Sequence, residues 1–319
     1  MPVGLHIEFA DGGPDMNITA GMRGLKYVGS FGDGWGASQT FPEIVPGSAV
    51  YLTPYSTYRT IGNWTNGQIQ LLNGYSVNGQ IVTQQYGGNN WGGGSFHASV
   101  WQVDKSSPKS GLLIADSSDF TSISNNLALG FCVFRGVVTI NGYWYPPIPP
   151  GATGVTVFAK FDNPGATLFY AGGAISSWGN NGTDTYQPAV TAKIVVFASG
   201  IEPVPQQGGL NMWNAAGKCT FSSGNRPFIT YGRTVGLYAT GWSATGGDMV
   251  QLCCTGTGVH GQDRGNTEWT KAMGVSMSSG AVSAGWGPEI RKNTDYYPDD
   301  QTTFYVPGFS VLAIPDIYV

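Results

Sequence analysis

Apolar and polar positions alternate with period two through most of the chain, in runs of five to nine residues broken by Gly, Pro, Asn and Asp. That is the pattern of strands joined by turns. Three runs are nearly all apolar: Val100-Trp101-Gln102-Val103, Lys193-Ile194-Val195-Val196-Phe197 and Ser310-Val311-Leu312-Ala313-Ile314. Helical periodicity is weak. Its best candidates, 118–129 and 268–275, are short and rich in residues that prefer turns. The pattern predicts an all-β protein.

The three apolar runs each close a unit that opens in the same way. Gly4-Leu5-His6-Ile7 leads through Asp11-Gly12-Gly13 to Asp15-Met16-Asn17. Gly111-Leu112-Leu113-Ile114 leads through Asp116-Ser117-Ser118-Asp119 to Ser122-Ile123-Ser124, and Gly209-Leu210-Asn211-Met212 through Asn214-Ala215-Ala216-Gly217 to Thr220-Phe221-Ser222. The copies align without a gap. Apolar residues two apart share a face, and the polar centre has turn chemistry, so each copy predicts a β-hairpin. Pro46-Gly47-Ser48-Ala49-Val50-Tyr51-Leu52 is echoed by Pro150-Gly151-Ala152-Thr153-Gly154-Val155-Thr156-Val157-Phe158. The copies begin at 4, 111 and 209, spacings of 107 and 98 residues. Such spacings suit tandem sandwich domains rather than a solenoid. Pro-, Ser- and Lys-containing connectors at 104–110 and 202–207 place the boundaries. The expectation is three tandem Ig-like β-sandwich domains over 1–107, 108–205 and 206–319.

Composition narrows the partners. Charged residues are only 11% of the chain and the net charge is −4. No Lys/Arg cluster exceeds two residues, so the basic footprint a nucleic-acid binder needs is missing. Apolar runs such as 137–140 and 194–197 fall far short of a membrane span. Residues 1–8 have neither the basic nor the apolar region of a signal peptide, which predicts synthesis in a cytosol without export by that route. Cys132, Cys219, Cys253 and Cys254 then read as buried thiols. No cofactor or metal site is expected.

Motifs for chemistry are sparse, and the expectation is that the protein is not an enzyme. Gly256-Thr257-Gly258-Val259-His260-Gly261 has dinucleotide-binding spacing, but a polar loop follows where a helix is required. His6, His97 and His260 form no ligand pair, and His6 falls on the polar face of the first hairpin. Asp116 with Asp119, Asp295 with Asp299 and Asp300, and Glu289 are the candidate acids for glycoside cleavage. Their contexts read as turns or solvated edges.

The more suggestive signal is tryptophan in Gly/Asn/Ser surroundings. Trp35, Trp91 (beside Asn89 and Asn90), Trp178 (beside Asn180 and Asn181) and Trp286 each read as an indole presented by a loop. Aromatic rings so placed can stack on a sugar or anchor a partner, with amides supplying hydrogen bonds. The alternative is an indole folded back onto its own sheet. Trp35, Trp91, Asn90, Trp178, Asn180 and Trp286 are therefore the candidate binding residues.

The segment Gly209-Leu210, Asn214-Ala215-Ala216-Gly217, Phe221-Ser222-Ser223 and Arg226-Pro227-Phe228 resembles a stretch of uncharacterised virion proteins of lambda-like tailed bacteriophages. The Met1-Pro2-Val3-Gly4-Leu5-His6-Ile7 start is similar to theirs. The Arg-Pro-Phe step is missing from the first two units. The resemblance implies a structural protein of the distal tail or tail fibre, assembled in the host cytoplasm and located in the virion, with a role in host attachment. Implied partners are other phage tail proteins, a host-surface glycan or outer-membrane protein, and further copies of itself as a homotrimer. A capsid decoration protein and a carbohydrate-binding depolymerase resembling a tailspike are the alternatives.

Overall fold

The computed structural model describes residues 4–9, 11–19, 22–32, 36–61, 68–88, 95–103, 111–116, 119–124, 129–181, 186–262, 267–293, 302–306 and 309–319. Among these residues there are strands and no helix. Where they are described, both weak helical candidates contain strands, Asp119–Ser124 and part of Thr267–Ser278, and residues 118 and 125–128 lie outside the described residues. Their β-branched and aromatic positions pair with neighbours, and pairing overrides a marginal helical period.

The three repeated motifs are three two-stranded hairpins: Gly4–Ile7 with Met16–Thr19, Gly111–Asp116 with Asp119–Ser124, and Asn211–Trp213 with Cys219–Ser222. Ile7 faces Met16 and Met212 faces Phe221, as the alternation predicts. The second hairpin corrects the gapless alignment. Its turn is two residues tighter, with Asp116 opposite Asp119, so Ile114 faces Thr121 while Ile123 faces Leu112. A slip of two keeps every side chain on its face, so the sequence pattern survives it.

Each apolar closing run is the middle strand of a triplet. Ala98–Val103 lies between Lys26–Phe31 and Ala49–Pro54; Val190–Ser199 lies between Phe131–Ile140 and Thr153–Lys160; Ser310–Ile314 lies between Thr234–Gly236 and Met249–Gln251. The last two triplets join edge to edge, Phe158 opposite Gln251 and Ala159 opposite Val250, into one six-stranded sheet. A second layer repeats less regularly. A four-stranded sheet built on Gln68–Asn78 and Ile81–Gly88 belongs to the first unit. An eight-stranded sheet combines strands of the second and third units where Leu168 faces Val275. Strand pairing thus runs across position 205. The exposed edge of one unit is covered by the next.

Each closing strand faces two cores. Val100, Ile194, Val196, Val311 and Ala313 point into a large core shared with the second layer, beside Leu72, Leu168, Ile175 and Val275. Trp101, Val195, Phe197, Leu312 and Ile314 point into a second core. Ile7, Met16 and Ile18 of the first hairpin and Phe221 of the third also pack there. At its centre Phe197 stacks on Phe228 at 4.1 Å, with Trp101 edge-on to Phe228 at 5.0 Å.

The units meet in a closed ring of main-chain hydrogen bonds. Leu25 N–H donates to Phe228 C=O at 2.9 Å, Phe228 N–H to Gly130 C=O at 2.7 Å, and Gly130 N–H to Leu25 C=O at 2.9 Å. Three bridges surround the ring: Lys26 with Leu129, Phe131 with Pro227, and Ile229 with Gly24. Each joins equivalent positions of successive repeats, cyclically. The chain is internally pseudo-threefold about this ring.

Candidate functional site

The eight-stranded sheet ends in a short edge strand, Tyr143–Trp144, paired with Ala174–Gly179. Tyr143 lies opposite Ser176 and Trp144 opposite Ile175. Period-two alternation then sorts the side chains. Trp144 and buried Ile175 face the large core, where Trp144 packs against Phe134 with ring centroids 5.0 Å apart. Tyr143, Ser176 and Trp178 share the opposite face, where Tyr143 is exposed, Trp178 half-buried and Ser176 buried. The Tyr143 ring stands edge-on to Trp178, with centroids 6.5 Å apart at 86°. Trp178 Nε1 donates to Ser176 Oγ at 2.9 Å, which fixes the indole plane.

Two more tyrosines flank this pair. Gly179 N–H donates to Tyr186 C=O at 2.8 Å, which brings the Tyr186 ring alongside Gly179. Tyr145 follows the edge strand directly. Tyr143, Tyr145 and Tyr186 are 57, 70 and 65% exposed. Residues 140–152 and 174–192 contain a single charged residue, Asp184. Pro146 and Pro147 lack the N–H that a further strand would need, so the edge is closed to strand addition. The result is a charge-poor edge strip carrying the Tyr143–Trp178 pair, with Tyr145 and Tyr186 exposed in the adjoining segments. Such a surface stacks on apolar faces while hydrogen-bonding at its margins.

The candidate residues fare differently. Trp178 belongs to this strip, but it sits on a strand rather than in a loop, half-buried against Phe169. Trp286 is likewise on a strand, Ala281–Asn293, with its ring over Gly258 and 5.2 Å from Phe304. Glycine beside both indoles permits close packing of strands, which is why a turn-like composition occurs inside a sheet. Asn180 is a brace. Its Nδ2 donates to Pro164 C=O at 3.1 Å and Ser276 Oγ at 3.3 Å, and its Oδ1 accepts from Trp286 N–H at 2.9 Å. The structure therefore brings Asn180 and Trp286 together through the backbone, with the amide already occupied. Trp35, Asn90 and Trp91 lie outside the described residues. In sequence, Tyr143-Trp144-Tyr145-Pro146-Pro147 reads only as a rigid strand-to-loop element, and nothing in it marks Tyr143 and Tyr145 as exposed. Trp213 and Trp242, both about half exposed, gave no signal beyond being aromatic.

Residues 4–295 match a family of unknown function, DUF6453. The chain belongs to that family. No curated protein and no solved structure matches it. The DUF6453 match takes in all three hairpins and the Leu25–Gly130–Phe228 ring.

Elsewhere the chemistry is already committed. The Gly-x-Gly-x-x-Gly run lies within strand Gly256–Gln262, paired with Thr267–Ser278 where a nucleotide fingerprint would need a helix. A cleft of about 560 Å³ between the two large sheets is lined by Lys160, Lys193, Asp162, Asp248 and Asp316. Asp316 accepts from Lys160 at 2.8 Å and from Lys193 at 3.1 Å, so these charges satisfy each other. Of the candidate acids, Glu289 is exposed on its strand, Asp116 and Asp119 oppose each other at a hairpin turn, and Asp295, Asp299 and Asp300 lie outside the described residues. His6 accompanies its cross-strand neighbour Asn17 at 2.8 Å, and that hydrogen bond raises its pKa. No disulfide joins the four cysteines; burial pushes the Cys132 thiol up to about 12 and also raises Cys253.

Proposed function

We propose that the protein is a structural component of the distal tail or tail fibre of a tailed bacteriophage, acting in attachment to the host. The observation that carries this reading is the charge-poor strip with the Tyr143–Trp178 pair on a closed sheet edge, Tyr145 and Tyr186 exposed beside it. Strands hold the Tyr143 and Trp178 rings, so little of their side-chain freedom is lost on contact. The scarcity of charge suits a host-surface glycan or an uncharged patch of an outer-membrane protein. The resemblance of the third hairpin region to tail-region virion proteins supplies the setting. Each repeat is read as an Ig-like sandwich unit, a closing triplet packed on a second sheet, with the second and third units fused side by side.

The test is a phage carrying Tyr143→Ala and Tyr186→Ala together. Particles should assemble normally and adsorb to susceptible cells at least tenfold more slowly, and labelled antibody should decorate the tail end in electron micrographs. Decoration of heads would favour a capsid protein. Clearing halos around plaques that vanish with a Glu289→Gln change would favour a depolymerase.

A further inference from the structure

The pseudo-threefold arrangement is unequal across the molecule. It holds at the hydrogen-bond ring and within each of the three closing triplets, and each unit carries a hairpin, the second in a register two residues tighter. It is lost in the outer layer, where one unit keeps a separate four-stranded sheet and the other two share eight strands. The hairpins lie on the side of the second core, away from that outer layer. The first and third pack into that core, and the second lies beside Arg23–Gly24 of the first unit. Each reaches across to other units. The first touches Arg135 and Arg226, and the tip of the third lines a cavity with Tyr27, Thr153 and Glu202.

A single folded chain has no need of internal symmetry for its own stability, since unequal units pack as well as equal ones. Sequence identity between the units has largely gone: Leu25, Gly130 and Phe228 share no side-chain type. Yet backbone symmetry persists on one face and has been lost on the other. We infer that the hairpin face docks on the axis of a threefold-symmetric homotrimeric protein, one copy of this chain to three of the partner. Each hairpin then meets the same partner surface, as matched symmetry requires. The asymmetric face, with its single aromatic strip, points away. In place of the homotrimer expected for the class, one chain supplies the threefold set. The inference rests on the chain being a virion component, but not on its being in the tail.

The experiment uses purified virions. Isotope-labelled peptides would count this chain and the protein cross-linked to its hairpins, and the expected ratio is one to three. One partner peptide should cross-link to exposed groups of more than one repeat, such as Asp15 through a carboxyl-reactive linker and Lys218 through an amine-reactive one. In parallel, sedimentation of the purified chain at micromolar concentration should show a monomer. Equal copy numbers in the virion, cross-links confined to one repeat, or a homotrimer in solution would each overturn the inference and mark the symmetry as a relic of duplication. A one-to-three ratio found on heads would sink the tail reading and leave this one standing. A chain missing from the particles would sink both.

Discussion

Arg226, only 3% exposed, donates through Nη2 to Asp11 Oδ1 at 2.9 Å across 215 residues of sequence. The same guanidinium lies 3.8 Å over the Phe9 ring and donates to Pro14 C=O. Arg135 Nη2 approaches the other Asp11 oxygen at 3.1 Å. The turn of the first hairpin is thus clamped by one arginine from each of the other two repeats. Charge-assisted pairs of this kind add direction as well as energy.

Asp11→Ala should loosen that clamp. Burial alone would raise the Asp11 pKa, but hydrogen bonds from Arg226, Gly13 N–H and Arg135 outweigh it and hold the carboxyl at about 2. A folded pKa below the unfolded value of 3.8 means the contribution is full above pH 4 and fades as pH falls through about 2. Asp11 is half exposed, so after screening the effect is about 1 kcal/mol. Thermal unfolding at pH 7 should fall by a few degrees in the variant, and the gap to the parent should close near pH 2.

Gly130 marks the threefold ring. A Cβ there would lie 2.6 Å from the Trp101 ring and 3.2 Å from Phe228. Trp101 cannot retreat, because its Nε1 donates to Thr53 Oγ1 at 3.1 Å and its ring meets Phe228. Gly130→Ala should cost about 1–3 kcal/mol by overpacking, and Gly130→Val more. Denaturant midpoints with an unchanged slope would check this; a neutral Gly130→Val would refute it.

Asn180→Ala separates bracing from binding. Three hydrogen bonds would be lost and the Trp286 N–H left without its acceptor, a cost of about 1–3 kcal/mol. The melting temperature should fall while adsorption of phage at a permissive temperature stays unchanged. The Tyr143→Ala, Tyr186→Ala pair should behave oppositely, within about 0.5 kcal/mol of parent stability.

A fragment of residues 1–205 should not fold to a soluble monomer. It keeps the Thr153–Lys160 edge without the Met249–Gln251 strand that covers it. It also lacks Phe221, Phe228, Leu312 and Ile314 from the second core. Unpaired apolar edges associate. Gel filtration should find the fragment aggregated, and a well-dispersed monomeric NMR spectrum would contradict the joined-sheet account.

Much of the scaffold was legible in the alternation of residues. The hairpins and closing strands could be read because their buried faces are apolar at period two, as with Met16, Phe221 and the 310–314 run. The ring that joins the repeats left no trace, because Leu25, Gly130 and Phe228 meet through main-chain groups that every residue type possesses. The edge-to-edge joining of two units was hidden for the same reason. At the site, glycine misled: beside Trp178 and Trp286 it signals strands packed closely, not a loop. Asn180 is marked in sequence by its neighbourhood, and only the structure shows its amide bonded to Pro164, Ser276 and Trp286, since a side-chain amide reads alike whether it faces a ligand or a carbonyl. The tyrosines were overlooked because exposure is a tertiary property.

The position of Ser310–Ile314 in the middle of its sheet has a consequence for biosynthesis. Its neighbours, Thr234–Gly236 and Met249–Gln251, are made some sixty residues earlier, several seconds of translation at ~5–20 residues/s. Until residue 314 leaves the ribosome, both cores lack an apolar wall and two strands lack their common partner. A chain interrupted before Ser310–Ile314 therefore stays open to proteases, and addition of that strand closes both cores.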